Sequence, residues 1–223
     1  MTYTPIAPGT LTWGVPVNAA FVDQDTRITA NTATNVTQDS RLTLIEGNEQ
    51  LQAPDAGWIA WNYDPALGQG STGLVTGQLY MARIDVMTAT TAINAIYAVM
   101  TAGSTLTSGQ NLVGLYNSTG TLLASSADQS ASWTSTGLKV TPFVSSVPIP
   151  AGTYHLGFLS NGTTPMSLLR SLGSAAQAAT INLNLSVSTA RWATSGSGLT
   201  ALPPSVTMSG RALAGGATWG ALS

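Results

Sequence analysis

The sequence predicts a mainly β protein in which an N-terminal extended arm and a short helical trimeric stalk precede a jelly-roll-like β-sandwich head. Three observations predict this order. The first 17 residues are rich in proline, and residues 18–46 contain neither proline nor glycine and carry a heptad pattern. From Gly57 onward, short apolar runs alternate with Gly, Ser, Asn and Pro, as in all-β domains. We therefore divide the chain into residues 1–17, 18–52 and 53–223.

The composition argues against several kinds of partner and site. Only 7% of the 223 residues are charged, against about 25% in a typical soluble domain. The net charge of −2 and the lack of any Lys/Arg run give no source for phosphate neutralisation, so we expect no nucleic acid partner. The absence of cysteine excludes disulfides and thiolate metal sites. We predict no cofactor and no metal.

The predicted arm, residues 1–17, contains Pro5, Pro8 and Pro16. Because X-Pro steps bias the preceding residue toward extended conformations, we expect an extended segment. Trp13 has two interpretations that the sequence leaves open: it packs against the chain's own stalk, or it anchors the arm in a larger assembly. The N-terminus resembles neither a signal peptide nor a membrane span, so we expect neither export by such a signal nor membrane insertion.

The predicted stalk carries an a/d seam of the kind that drives helix association. Its a positions are Phe21, Ile28, Asn35 and Leu42, and its d positions are Gln24, Asn31, Gln38 and Ile45. Half of this seam is amide, so a single helix would bury too little apolar surface to be stable alone. We therefore predict that this helix associates with copies of itself. The many threonines are poor helix formers and leave an irregular linker as the alternative.

The predicted head contains about eight strands, which favours a jelly roll or a related sandwich. The predicted strands are residues 77–86, 92–100, 111–116, 121–125, 139–144, 152–160 and 181–186, with a last one near Trp219. Residues 117–120 (NSTG) predict a hairpin turn. Residues 174–180 fit either one helical turn or a loop.

Catalytic chemistry has few candidates in the head. His155 is the single histidine, and Cys is absent, so neither a triad nor a usual zinc site can be completed. Asp64, Asp85 and Asp128 could on paper supply a glycosidase pair. Their local sequences instead favour structural roles, and we predict that the protein is not an enzyme.

Aromatic residues give the binding hypothesis. Trp58, Trp61 and Tyr63 cluster at the start of the head beside polar residues, as stacking on a sugar face requires. The alternative is that such rings fill core or inter-subunit space. Trp133 lies in a polar, loop-like context, which favours an exposed contact residue. These four residues are the predicted ligand-binding set.

Several segments resemble minor tail and tail-fibre proteins of phages that infect actinobacteria. In the arm and stalk they are 13–18 (WGVPVN) and 23–28 (DQDTRI). In the head they are 111–120 (NLVGLYNSTG), 127–133 (ADQSASW), 151–154 (AGTY) and 159–163 (LSNGT). The resemblance covers nearly the whole chain, but its motifs are structural.

This resemblance implies a virion protein, assembled in the host cytoplasm, whose N-terminal arm docks on other phage virion proteins. It also implies a homotrimer whose distal head faces the host surface. We expect a non-enzymatic fibre that binds a host cell-surface glycan. A head fibre or capsid decoration protein with an architectural role, or a virion-associated glycan-cleaving enzyme, remains the alternative.

Overall fold

The computed structural model describes residues 14–46, 51–171, 173 and 177–223. The chain divides into two compact units between Gln50 and Leu51. It is mainly β, with 44% strand and 19% helix, and its antiparallel sheets confirm the predicted fold class. Residues 1–13, including Trp13 and its predicted docking role, lie outside the described residues.

The N-terminal unit contains one long helix, α1, which spans Gly14–Glu46. It begins at Gly14 rather than Asn18, so residues 14–17 are helical and the predicted boundary of the arm is corrected. Pro16 lies in the first turn, where the backbone N–H groups have no helical partner and proline is therefore tolerated. The helix ends where the sequence predicts, and the irregular-linker alternative is wrong for these residues.

Side chains along α1 are exposed from residue 22 to residue 39. Ile28 is 59% exposed, and Asn31, Asn35 and Gln38 are also exposed. The side chains of Phe21, Leu42 and Ile45 lie outside the described set. Five threonine hydroxyls donate to the carbonyl four residues earlier, at 2.8–3.0 Å. The hydroxyls of Thr26, Thr29, Thr32, Thr34 and Thr37 are thus satisfied within the helix.

The β unit, residues 51–223, contains fourteen described strands. They are β1 (Ala60–Trp61), β2 (Gly68–Gly73), β3 (Leu79–Val86), β4 (Thr90–Thr101), β5 (Ser104–Leu106), β6 (Leu112–Asn117), β7 (Leu122–Ser125), β8 (Gly137–Ile149), β9 (Gly152–Leu159), β10 (Gly162–Thr164), β11 (Ser167–Ser171), β12 (Trp192–Ser195), β13 (Ala212–Leu213) and β14 (Ala221–Leu222). A one-turn helix, α2 (Ala178–Ile181), lies between β11 and β12.

Two antiparallel sheets form the sandwich. In the first, β8 pairs with one edge of β4, and β11 and β14 pair with its other edge. β11 then pairs with β2, and β14 with β1. The second sheet has the order β13-β12-β3-β9-β6-β7. The eight strands β2, β3, β4, β6, β7, β8, β9 and β11 therefore form sheets of order 1-8-3-6 and 2-7-4-5, which is the jelly-roll arrangement of two Greek keys.

The main core lies between the two sheets and takes side chains from both. Tyr97 of β4 packs edge-on against Phe158 of β9, with ring centroids 5.3 Å apart. Trp133 also packs edge-on against Tyr97, with ring centroids 6.3 Å apart. The Trp133 Nε1–H donates to the Tyr97 hydroxyl at 2.8 Å. The Tyr97–Phe158 contact joins the two sheets, and Trp133 supports it.

A second apolar cluster covers the outer face of the sheet that contains β9. Leu79, Met81 and Tyr116 of that sheet pack against Leu202, Val206 and Met208, among others, from the segment after β12. The predicted hairpin turn is confirmed: the Gly120 N–H donates to the Asn117 carbonyl at 3.0 Å, and Gly120 has φ +90°. Val206 N–H donates to the Gly120 carbonyl at 2.8 Å, so this turn also holds the covering segment.

One predicted strand is wrong. Residues 181–186 contain the end of α2 and a turn, and Leu183 and Asn184 both have φ +54°, outside the β region. Asn182 N–H donates to the Ala178 carbonyl at 3.1 Å, which continues the helical turn. Within the portion of the chain that the structure describes, no helix is long and apolar enough to cross a membrane.

Candidate functional site

Two adjoining depressions lie at one edge of the sandwich, near β1 and the end of β3. Their volumes are about 340 and 480 Å³, and Trp61 and Asp85 line both. We call them together the Trp61 groove. The first depression is also lined by Asn62, Tyr63, Leu67, Arg83, Ser171, Leu183, Leu185, Arg191 and Ala217, and the second by residues 52–54, Trp58, Ile59, Ala60 and residues 87–90.

The aromatic wall of the groove is held by the end of the chain. Trp61 pairs with Ala221 in the β1–β14 ladder. The Asn62 side chain donates to the Thr218 carbonyl at 2.6 Å and accepts from the Gly220 N–H at 3.1 Å. The Tyr63 hydroxyl donates to the Ala217 carbonyl at 3.1 Å. Asn62 and Tyr63 therefore anchor β1 and are committed to structure.

The indole rings form a supported platform. Trp58 and Trp61 are half-buried, and their rings meet edge-on with centroids 5.9 Å apart. Behind them lies Trp219, which is 1% exposed, with its ring centroid 5.5 Å from that of Trp58. The Trp219 Nε1–H donates to the Tyr63 carbonyl at 3.0 Å. A fixed ring behind Trp58 limits its rotation and leaves part of the two outer rings accessible.

The opposite wall comes from β3, at the point where its ladder with β12 ends. That ladder runs from Leu79 to Ala82. One residue further, Arg83 forms an ion pair with Asp85, with Nη2 and Oδ1 3.0 Å apart. The Thr153 hydroxyl donates to Asp85 at 2.6 Å, and Arg83 Nη1 donates to the Thr189 carbonyl at 3.2 Å. The carboxylate is therefore held in place with half of its side chain exposed.

A second arginine lines the first depression from the loop before β12. Arg191 is exposed, and its carbonyl accepts from the Arg83 N–H at 2.9 Å. Among the described residues of the β unit, the Arg83–Asp85 contact is the one ion pair, so the Arg191 charge has no carboxylate partner there. Arg170 of β11 contributes a further positive charge close enough to lower the pKa of Tyr63, although burial has the larger effect and raises that pKa overall.

Three of the four residues predicted to bind ligand come together at this site. Trp58, Trp61 and Tyr63 all line the Trp61 groove, although the Tyr63 hydroxyl is occupied. The fourth prediction is corrected: Trp133 is fully buried. A short 3₁₀ turn, Ser132–Thr134, directs the ring inward, and its polar neighbours remain at the surface. Arg83 and Arg191 were missed, because nothing in their local sequences signals that they line a groove.

The other two candidates for a glycosidase pair, Asp64 and Asp128, have local partners. Asp64 accepts from the Ala66 N–H at 2.8 Å and caps the turn that begins at Pro65. Asp128 accepts from the Asn111 N–H at 3.1 Å and from the Ser130 hydroxyl. Although partial burial raises the pKa of Asp128, hydrogen bonds from Gly109, Ser130 and Asn111 lower it overall. Of the described residues that line the groove, Asp85 is the only carboxylate.

His155 lies outside the groove, on the covered outer face of β9. It is 1% exposed, and no hydrogen-bond partner of either ring nitrogen occurs among the described residues. Burial, followed by the positive charges of Arg211 and Arg83, lowers the pKa of His155 to about 3. Burial also lowers the pKa of Arg211 to about 10. His155 is therefore neutral near pH 7 and packs as part of the covered face.

The described side chains contain no group of three or more His, Cys, Asp or Glu residues that could hold a metal ion. A search against protein-family models finds no match for this chain. Comparison with curated proteins finds no significant match either.

Proposed function

We propose that this chain is a non-enzymatic phage virion protein, a homotrimeric fibre or minor tail protein whose β unit binds a glycan on the host surface. The observation that carries the binding part is the Trp61 groove. Two half-buried indole rings, supported from behind by Trp219, lie beside the Arg83–Asp85 pair. Aromatic faces next to fixed hydrogen-bonding groups suit the apolar and hydroxyl faces of a sugar ring.

The homotrimer is supported by the exposure of α1. Ile28 is 59% exposed in the single chain, and the amides of the predicted seam are exposed with it. A helix with so little burial gains stability from packing on other helices, and the heptad spacing of the seam makes copies of the same helix its natural partners. Three linked heads would also raise avidity for a repeated surface glycan without new contacts.

Attachment to the virion through residues 1–17 and Trp13, and assembly in the host cytoplasm, are further parts of this proposal. They are supported by the resemblance of residues 13–18 and 23–28 to phage tail proteins.

The architectural alternative, a head fibre or capsid decoration protein without a glycan ligand, is favoured by one surface. Leu138, Val140 and Val144 alternate along β8 and are 57%, 57% and 73% exposed. Their neighbours on the other face, Thr141 and Phe143, are buried. An apolar row on an edge strand is typical of a contact surface between proteins.

A glycan array with the full-length protein tests the binding proposal. We expect a defined set of glycans to bind and the Trp61→Ala variant to lose most of the signal, because stacking on this ring is removed. Trp61→Phe keeps an aromatic ring and should retain partial binding.

Val144→Ala is the matched control, since it shortens an exposed apolar side chain on β8, at the opposite edge of the sheet from β1. It should bind like the wild type. Binding of no glycan by the wild type, or equal binding by wild type and Trp61→Ala with both proteins folded by circular dichroism, would contradict the proposal.

A further inference from the structure

The strongest unassigned feature of the β unit is the distribution of its positive charge. This unit has only five basic residues: Arg83, Lys139, Arg170, Arg191 and Arg211. Arg83 and Arg191 line the first depression of the Trp61 groove. Arg170 lies close enough to influence Tyr63 of the same wall. Three of five basic groups are therefore gathered around one small depression.

These charges are only partly neutralised. Asp85 pairs with Arg83, with both carboxylate oxygens 3.1 Å from Nε. Arg170 donates from Nε to the Ser71 carbonyl at 2.8 Å and from Nη1 to the Gly173 carbonyl, which are neutral acceptors. Arg191 is exposed and lacks an ion pair among the described residues. Asp85 thus offsets one of these three positive charges, and those of Arg170 and Arg191 have no carboxylate partner among the described residues of the β unit.

On the basis of the proposed glycan-binding function, we infer that the Trp61 groove binds an anionic saccharide, one that carries carboxylate or phosphate groups. The Trp61 ring contacts an apolar face of one sugar residue, and the Arg191 guanidinium donates to the acidic group. Arginine suits this role because its planar fork donates two parallel hydrogen bonds to a carboxylate or a phosphate. Asp85 accepts from sugar hydroxyls through its exposed portion.

The positions of the charges favour an acid-bearing sugar over a simple anion. A small anion would need no aromatic platform. A neutral sugar would need no uncompensated guanidinium. The site also contains Asp85, which repels acidic groups placed against it and so restricts where the anion can lie.

The inference is tested by titration calorimetry of the full-length protein with four probes of similar length. These are a neutral glucose oligosaccharide, a galacturonic acid oligosaccharide, a phosphorylated glucose oligosaccharide and a glutamate oligopeptide. We expect at least one of the two acidic oligosaccharides to bind more tightly than the neutral one. The preferred probe distinguishes a carboxylate from a phosphate as the source of charge.

Arg191→Gln should weaken binding of the preferred anionic probe by roughly tenfold, the expected effect of losing one charge-assisted contact. Binding of the neutral oligosaccharide should stay unchanged. Lys139→Gln removes a charge from β8, at the opposite edge of the sheet, and should bind like the wild type. Raising the salt concentration should weaken binding of the anionic probe selectively, because screening acts on charge.

Equal binding of neutral and anionic probes would overturn the inference and leave the proposed glycan function standing. Binding of the glutamate oligopeptide as tightly as the preferred probe would overturn it as well, since charge alone would then suffice. Binding of no probe and of no glycan on the array would contradict the proposed function and the inference together.

Discussion

Helix α1 and the β unit differ in where their apolar side chains lie. The β unit packs its side chains into three hydrophobic clusters, and its largest buried residues, such as Trp133 and Trp192, are completely enclosed. In α1, the described apolar side chains Val22, Ile28 and Val36 are 59–65% exposed. The β unit is thus stabilised within one chain, whereas the described side chains of α1, residues 22–39, form no comparable cluster.

The polar groups of the two units show the same contrast. The threonine hydroxyls of α1 bond to its own backbone, four residues earlier. In the β unit, hydrogen bonds join distant parts of the chain, such as Asn62 to Thr218 and Arg83 to Thr189. The hydroxyls of these α1 threonines therefore need no partner outside the helix. This difference is what an assembly helix attached to an independently folded head would show.

The largest expected effect is in the core of the β unit. Trp133→Ala removes a fully buried ring and the donor to the Tyr97 hydroxyl. We expect the free energy of unfolding to fall by about 3–5 kcal/mol, measured by denaturant titration. A loss below about 1 kcal/mol would show that the aromatic stack is not central to the sandwich.

A somewhat smaller effect is expected where the covering segment meets the hairpin turn. Gly120 and Gly109 both have positive φ, +90° and +80°. A Cβ at Gly120 would collide with the Val206 carbonyl oxygen, whereas a Cβ at Gly109 has open space. Gly109→Ala should cost about 1 kcal/mol from backbone strain alone, and Gly120→Ala roughly 1–3 kcal/mol more from the clash.

Thermal and denaturant unfolding of this matched pair measures the contact directly. Equal destabilisation by the two substitutions would mean that the segment around Val206 moves away from the new Cβ at residue 120 without a cost in free energy. The second cluster would then contribute little to holding the covering segment.

The next effect depends on pH and on His155. The pKa of His155 is about 3 in the folded protein and about 6.5 in the unfolded chain. Between these values the unfolded chain binds more protons, so the free energy of unfolding falls as pH is lowered from 6.5 toward 3. The slope from this residue is at most about 1.4 kcal/mol per pH unit.

His155→Leu removes the titrating group. The free energy of unfolding of the variant should therefore fall less steeply below pH 6.5, and near pH 7 it should match that of the wild type. The measurement is the difference between the two proteins in denaturant titrations from pH 7.5 to 4.5, which cancels the contribution of the carboxylates. Parallel curves for wild type and variant would contradict the burial of a neutral imidazole.

The smallest expected effect is that of a substitution in α1 on the stability of the β unit. Ile28→Ala lies in α1 at an exposed position, so the unfolding of the β unit should change by less than about 0.5 kcal/mol. Near-ultraviolet circular dichroism follows the β unit in this test, because Trp133, Trp192 and Trp219 are buried in that unit. A loss above about 1 kcal/mol would show that the head depends on the stalk for its stability.

Much of the sandwich could be predicted from the sequence, because several strands carry their own signal. Strands β3, β4, β6 and β9 contain clear apolar runs bounded by turn residues, and each occurs close to its predicted position. Strand β2, Gly68–Gly73, was not predicted, since its sequence GQGSTG has no apolar pattern. It is a strand because it pairs with β11, from Ser167 opposite Gly73 to Ser171 opposite Gly68.

The site was predictable only in part, for a related reason. Trp58, Trp61 and Tyr63 are close in sequence, so their clustering is visible without a structure. Arg83 and Arg191 come together only because residue 191 hydrogen-bonds to β3 just beyond the β12 ladder. The prediction that Trp133 is exposed was wrong. Its polar neighbours correctly indicate a turn at the surface, but they do not determine whether the side chain at the middle of that turn points outward or inward.

We propose that α1 associates with copies of itself through the predicted seam. Ile28 belongs to that seam, and Val22, which is 65% exposed, lies one position outside it. Ile28→Asp should therefore weaken assembly more than Val22→Asp, although both introduce the same charge at an exposed apolar site. Deleting residues 1–52 should remove assembly and leave a folded head.

The most direct test is the solution mass of the full-length protein, measured by sedimentation equilibrium at micromolar concentration. We expect about three times the chain mass of 22.8 kDa for the wild type and a single-chain mass for the protein without residues 1–52. A monomeric full-length protein, or a head that stays trimeric without its helix, would contradict this proposal.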